Sequence, residues 1–193
     1  SSEDAQDREQ EAEKARDQAK REIQEKQREY LKLQEEENRF RIKEKLEAME
    51  TAQNKANLDT ETLDAYREKN GSLSRSQILR DLPKLVSGEE DIHRDTDEVR
   101  DKLKAEGAEV YLWVLETTSQ DLGRVTQLLG DNDTGELTRS IQGDVARNFH
   151  SLLEALNEDL KKKDQQQQQQ DEQGSQPNRN RIVSHLAEIR MLK

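Results

Sequence analysis

The chain has 193 residues, of which 30% are hydrophobic, 3% aromatic and 39% charged, and this is too little apolar material for one compact globule. With only two prolines and many strong helix formers, the composition predicts an extended, all-α protein. A formal net charge of −11 predicts repulsion from phosphates, so no nucleic-acid partner is expected.

Residues 1–70 are predicted to form a long charged helix that acts as a coiled-coil arm. Apolar residues recur every seven positions, first in a frame that contains Leu33 and Phe40, and then in a second frame that starts at Ile42. The change of frame near Phe40 indicates a stutter. Because the repeats between Ile23 and Tyr66 contain too few large side chains for a strong contact, homotypic pairing is expected to be weak or absent. A single helix supported by ion pairs four residues apart is the alternative.

Residues 71–88 are predicted to form a hinge and a short helix. Asn70 and Gly71 tolerate the left-handed conformation that commonly follows a helix C-terminus, so the first helix is expected to end there. Pro83 lacks a backbone amide and limits the next helix to a short or kinked element. Gly88 is expected to close it.

A helical hairpin is predicted over residues 89–163. Its first helix spans residues 89–129, with interruptions only at Gly107 and Gly123, and its second helix follows the turn at 130–135. If the two helices pack antiparallel, Trp113 lies opposite the middle of the second apolar stripe. The predicted hairpin core consists of Trp113, Ile141, Val145, Phe149, Leu152 and Leu156.

Residues 164–178 are predicted to be a flexible Gln-rich linker, although a glutamine run can also extend a helix that precedes it. Residues 179–193 are predicted to form an amphipathic helix whose pattern is truncated at Lys193. Its apolar side chains Ile182, Leu186 and Ile189 are the predicted partner-binding residues.

No pattern in the sequence predicts a catalytic, cofactor or metal site. The chain contains no cysteine, which excludes cysteine nucleophiles and thiolate metal sites. Glu90 and His93 have the spacing used in di-metal helical bundles, but the second such pair is missing. The longest apolar run, residues 110–115, is far shorter than the roughly 20 residues of a membrane span. We therefore expect no enzyme activity, no cofactor, no small-molecule substrate and no membrane span.

The C-terminal third resembles a group of long helical, Gln-rich bacterial proteins. The resemblance rests on QGDVARNFHSLLEAL at residues 142–156, the lysine-ended helix, the Gln-rich spacer, and LAEIRML at residues 186–192. Proteins of this group are envelope-associated and are often encoded near MoxR-type AAA+ ATPases and von Willebrand A-domain proteins. The resemblance implies no catalytic residues, and it favours the bacterial cell envelope or periplasm over the cytoplasm.

These features together predict a non-enzymatic helical scaffold or adaptor. Its expected partners are helices of other proteins, or a second copy in a weak homo-oligomer, within an envelope-associated complex. The alternative is a regulatory or chaperone-like accessory subunit of an ATPase and von Willebrand A-domain system.

Overall fold

The computed structural model describes residues 2–173, with side chains described for residues 6–166. Its elements are α1 (Ser2–Asn70), a short 3-10 helix (Gly71–Ser74), α2 (Arg75–Ala105), α3 (Glu109–Gly130) and α4 (Glu136–Gln173). The described residues contain no strand, so the predicted all-α fold with a long N-terminal helix is confirmed. The chain divides into two compact units, residues 1–155 and 156–193.

The second half of α1 packs with α2, α3 and α4 into an antiparallel four-helix bundle. Short turns join α2 to α3 and α3 to α4, which favours this up-and-down arrangement. Side-chain contacts join each pair of neighbouring helices. These contacts are Lys45–Asp95 at 3.2 Å between α1 and α2, His93–Ser119 at 2.9 Å between α2 and α3, Thr118–Asn148 at 3.1 Å between α3 and α4, and Glu50–His150 at 2.9 Å between α1 and α4.

Buried residues recur in alternating steps of three and four along the helices of the bundle. This is the spacing of left-handed helix packing, in which side chains of one helix fill the gaps of another. The buried positions are Ile42, Leu46, Met49, Gln53, Ala56, Thr60 and Leu63 on α1, Glu89, Ile92, Thr96, Val99 and Leu103 on α2, and Leu115, Thr118, Leu122, Val125 and Leu129 on α3. A narrow apolar stripe on each helix therefore suffices to build a core from this highly charged sequence.

The bundle-facing stripe of α1 does not continue into its N-terminal half. Counted back from Ile42 in the same frame, the next positions hold charged side chains. These are Arg39, Glu35, Lys32 and Arg28. Charged side chains are rarely buried without partners, so the bundle contacts of α1 end near Arg39. Every side chain from residue 6 to residue 38 is exposed, and we call this segment the arm.

Helix α2 passes through two residues that were expected to end it. The prediction of a separate short helix at residues 71–88 was wrong, because α2 continues from Arg75 to Ala105 with Pro83 inside it. Packing outweighs the local penalty here, since Ile78 and Leu85 on either side of Pro83 are both buried.

The break in the second half of the chain occurs at Gly107. A single helix over residues 89–129 was therefore a wrong prediction, and the region 89–163 contains parts of three helices. Gly107 has a φ of +72°, and the Ala108 amide donates to the Leu103 carbonyl at 3.0 Å while the Gly107 amide donates to that of Lys104 at 3.1 Å. This pair of hydrogen bonds is a Schellman motif, which ends α2 and turns the chain back.

The turn between α3 and α4 is also a Schellman motif, and it lies in the predicted turn at residues 130–135. Asn132 has a φ of +65°, and the Asp133 amide donates to the Leu128 carbonyl at 2.8 Å. The Asp133 side chain then accepts a hydrogen bond from the Gly135 amide at 2.8 Å. Asparagine tolerates the left-handed conformation better than most residues, which explains why the residue with positive φ at this helix end is not a glycine.

Helix α4 extends beyond the predicted helix end at Lys163. It continues through the glutamine run to Gln173, so a flexible linker that starts at residue 164 was a wrong prediction. Glutamine is a good helix former, and a helix that has already been nucleated adds such residues readily. The rest of the predicted linker and the predicted helix at 179–193 lie outside the described residues.

Two alanine substitutions test this account of the glycines. Gly107→Ala is expected to lower the free energy of unfolding by about 1 to 2 kcal/mol, because an L-residue resists a positive φ. Gly88→Ala is expected to raise it by about 0.5 to 1 kcal/mol, because Gly88 is in the interior of a helix. A Cβ at either position meets nothing within 4 Å, so crowding does not enter. Urea unfolding followed by circular dichroism measures both, and effects of the same sign would contradict the prediction.

Candidate interaction surfaces

The arm carries an apolar face that no other described residue covers. Ile23, Tyr30 and Leu31 are between 58% and 67% exposed. They lie beside Gln27 and line one shallow surface on the helix. Spacings of four, seven and eight residues place side chains on the same side of a helix. The arm therefore has one exposed apolar face.

A second surface is a groove on the outside of the bundle between α1 and α2. Its volume is about 500 Å³. The residues that line it are Ala52, Lys55, Ala56, Asp59, Thr62, Leu63 and Tyr66 on α1, and Gln77, Asp81, Lys84, Leu85, Gly88 and Ile92 on α2. Small residues deepen it, since Ala52, Ala56 and Gly88 bring little side-chain volume. We call it the groove.

Charged residues border the apolar floor of the groove. Lys55 forms an ion pair with Asp59 on the α1 side. On the α2 side, Asp81 contacts Arg80 at 3.3 Å and Lys84 at 3.5 Å. The hydrogen bond from Arg80 is the main cause that lowers the pKa of Asp81, and Lys84 adds to it. An apolar floor between charged edges suits an amphipathic helix better than a small polar molecule.

Polar side chains from three helices meet inside the bundle. Gln53 of α1, Glu89 of α2 and Gln142 of α4 are each 0% exposed. The side-chain amides of Gln53 and Gln142 donate to the same oxygen, Glu89 Oε1, at 3.0 and 2.7 Å. The Gln142 amide also lies 3.0 Å from Oγ1 of Thr60. We call these four residues the polar layer.

The polar layer is incompletely hydrogen-bonded. Oε1 of Gln53, Oε2 of Glu89 and Oε1 of Gln142 are buried acceptors without a hydrogen-bond partner among the described residues. Burial raises the pKa of Glu89, while the hydrogen bonds from Gln142 and Gln53 act in the opposite direction. The Glu89 carboxyl is sealed from solvent and accepts hydrogen bonds from the two amides.

Ser119, His93 and Asp97 form a cluster at the contact of α2 with α3. The Ser119 hydroxyl donates to Asp97 Oδ1 at 2.7 Å, and its oxygen lies 2.9 Å from Nε2 of His93. A hydrolase triad needs the histidine to accept the serine proton and the aspartate to hold the other ring nitrogen. Here the serine proton is directed to the aspartate, so the cluster joins two helices and does not activate a nucleophile.

A further polar contact joins α1 to α4 on the surface. His150 lies 2.9 Å from Glu50 and 3.5 Å from Glu154. The hydrogen bond with Glu50 is the main cause that raises the pKa of His150, and the charge of Glu154 adds to it. His150 itself is exposed.

The structure separates Trp113 from the other predicted core residues. Ile141, Val145, Phe149, Leu152 and Leu156 are all buried. Trp113 is 73% exposed, so its assignment to the core was wrong. The reason is the break at Gly107, which starts α3 at Glu109 and gives the core position to Leu115 instead. Two residues along a helix correspond to a rotation of about 200°, so Trp113 and Leu115 face opposite ways.

The predicted partner-binding residues Ile182, Leu186 and Ile189 lie outside the described residues. The groove and the polar layer were not predicted from the sequence. The polar layer could have been, because Gln53 falls four residues after Met49 and three before Ala56, in the apolar frame of Ile42, Met49, Ala56 and Leu63. A glutamine at such a position marks a polar residue inside a helical core.

No family model, curated protein or solved structure matches this chain. The resemblance over residues 137–193 accordingly stays a prediction. Among the described residues, no cluster of three or more metal-binding side chains is present. None of the helices in residues 2–173 combines the length and the apolar character needed to cross a membrane.

Proposed function

We propose that this protein is a non-enzymatic helical scaffold or adaptor that binds other proteins through its arm. The observation that carries the proposal is the exposed apolar face of Ile23, Tyr30 and Leu31, in a segment where every side chain is exposed. The bundle holds one end of α1, and the other end projects as a continuous helix. A helix with one end fixed in a bundle and the other end projecting suits a protein that binds partners.

Burial of the arm's apolar face supplies a driving force for binding. Full burial of one large apolar side chain contributes about 1.5 to 3 kcal/mol, and the face offers three such residues. This free energy is gained only when a partner covers the face. Most of the other residues of the arm are charged, which keeps an isolated copy in solution and limits contacts to one face.

The polar clusters of the bundle also favour a structural role. Glu89 is sealed in the core, and the Ser119 hydroxyl donates to Asp97. Both clusters join helices, so neither presents a reactive group to a substrate.

Placement of the protein in a bacterial envelope-associated complex rests on the resemblance of residues 137–193 alone. The same resemblance supports the second candidate function, a regulatory accessory subunit of an ATPase and von Willebrand A-domain system. Under either function, Ile182, Leu186 and Ile189 are a second predicted contact surface.

Site-specific cross-linking tests the adaptor function. A photoactivatable residue at position 27, which lies within the apolar surface of the arm, is expected to capture defined partner chains in cells that express the full-length protein. The double variant Ile23→Asp, Tyr30→Asp should lose these products. Val110→Asp is the control, because Val110 is 85% exposed but lies on α3. Identical products from all three proteins would contradict the proposal.

A further inference from the structure

The same chain carries an exposed apolar helix face and an apolar groove. The lined part of the groove runs along α1 from Ala52 to Tyr66, which is about 21 Å at 1.5 Å per residue. The apolar face of the arm runs from Ile23 to Leu31, which is about 12 Å on the same scale. The groove is therefore long enough to hold the whole face.

The arm cannot reach the groove of its own chain. The arm and one wall of the groove both belong to α1, which is one continuous helix from Ser2 to Asn70. Residues 1–70 contain neither glycine nor proline, so α1 has no sequence feature that favours a sharp bend. Ile23 and Leu63 are about 60 Å apart along this helix. Any contact between the arm and the groove must therefore be made between two copies.

Charge also favours the contact between copies. Residues 20–34 of the arm contain five basic and three acidic side chains, although the whole chain has a net charge of −11. Residues 39–155, which include the bundle, contain 17 basic and 24 acidic side chains. Residues 20–34 and the bundle thus have opposite net charges, although the whole arm, residues 6–38, contains eight basic and 11 acidic side chains. Their attraction brings the apolar face of the arm toward a bundle and opposes the approach of one bundle to another.

We propose that the arm of one copy occupies the groove of a second copy and that the second copy returns the same contact. This inference rests on the proposed function, because it takes the arm to be a protein-binding element and names a second copy of this chain as its partner. When two α1 helices lie antiparallel, each arm reaches the other bundle. The two contacts are then identical, and the assembly closes as a two-fold dimer.

Sedimentation equilibrium of the 193-residue chain between 1 and 100 µM tests the proposal. The expected result is a reversible dimer of twice 22.4 kDa. Ile23→Asp with Tyr30→Asp, and separately Gly88→Leu, should each weaken the dimer at least tenfold. Gly88→Leu fills the groove with a side chain whose Cβ meets no atom within 4 Å, and helix content checks that the variant still folds. Val110→Asp should leave the dimer unchanged.

Disulfide trapping gives a second measurement that does not depend on the stability of the variants. Because the chain has no cysteine, each introduced thiol is unique. A mixture of Gln27→Cys on the arm and Lys55→Cys at the groove should form mainly the mixed disulfide. A dominant Gln27→Cys homodimer, an open filament or a monomer at all concentrations would overturn the proposal. A monomer whose arm still captures another protein at position 27 would overturn only the dimer and leave the adaptor function standing.

Discussion

Replacement of Phe149 by alanine is expected to lower the free energy of unfolding by about 3 to 5 kcal/mol. Phe149 is 0% exposed, and Val145 and Leu152, one turn before and after it on α4, are also buried. The substitution removes a ring from a position where neighbouring helices on several sides prevent easy collapse. The loss therefore includes both the transfer of the ring and the cavity that it leaves.

The matched control is the other large aromatic residue that sequence analysis placed in the core. Trp113→Ala is expected to change the free energy of unfolding by less than about 1 kcal/mol, because Trp113 is 73% exposed. Urea unfolding followed by circular dichroism suits both variants, since a fluorescence signal would be lost with the tryptophan. Equal losses for the two variants would show that the first turn of α3 is not placed as described.

Replacement of Glu89 by glutamine is expected to raise the free energy of unfolding by about 1 to 3 kcal/mol at alkaline pH. Glutamine has nearly the same shape, keeps an oxygen for the amides of Gln53 and Gln142, and brings a donor in place of an unpaired acceptor oxygen. It also removes the carboxylate charge that burial opposes. The gain should be small in acid, where the wild-type carboxyl is already protonated.

The direction of this pH dependence follows from the raised pKa of Glu89. Burial raises it above the ordinary value of 4.5, so the folded chain holds the proton more tightly than the unfolded chain does. The contribution of protonated Glu89 to stability is fully present below 4.5 and is lost as the pH rises toward the folded-state pKa. Glu89→Gln has no carboxyl at this position, so its stability does not fall for this reason as the pH rises. The difference between the two proteins should therefore grow with pH and then level off.

Glu90→Gln is the control for this prediction, because Glu90 is the next residue on α2 and is exposed. Unfolding in urea is measured for wild type and both variants between pH 4 and pH 9. A difference that grows with pH for Glu90→Gln as well would assign the effect to the overall charge of the protein. No growth for Glu89→Gln would show that Glu89 ionises in the bundle at little cost.

The sequence predicts the parts of this fold that depend on one helix at a time. Helical composition predicts the all-α class, and Asn70 with Gly71 predicts the end of α1. Pro83, Gly88 and Gly107 all appear as breaks, yet only Gly107 ends a helix. Local propensity ranks these residues similarly. The choice among them depends on which neighbouring turns are buried by other helices, and this information is not local.

The candidate surfaces also differ in whether they depend on one helix or on the packing of two. The exposed face of the arm follows from the scarcity of large apolar residues before Phe40, so a need for a partner could be predicted. The groove requires α1 and α2 to pack antiparallel with Ala52 near Gly88, and such pairing between distant segments has no signature in a helical period. The error at Trp113 has the same origin, since it followed from one misplaced turn.

The polar layer has a consequence for how far α1 projects from the bundle. If α1 slid along its neighbours by seven residues, about 10.5 Å, the places of Met49 and Ala56 would still be taken by apolar residues, but Glu89 would face Leu46 or Thr60 instead of Gln53. A buried amide would then lose its acceptor, at a cost of about 1 to 3 kcal/mol. Gln53 thus fixes the register of α1 against its neighbours, and with it the length of α1 that projects beyond the bundle.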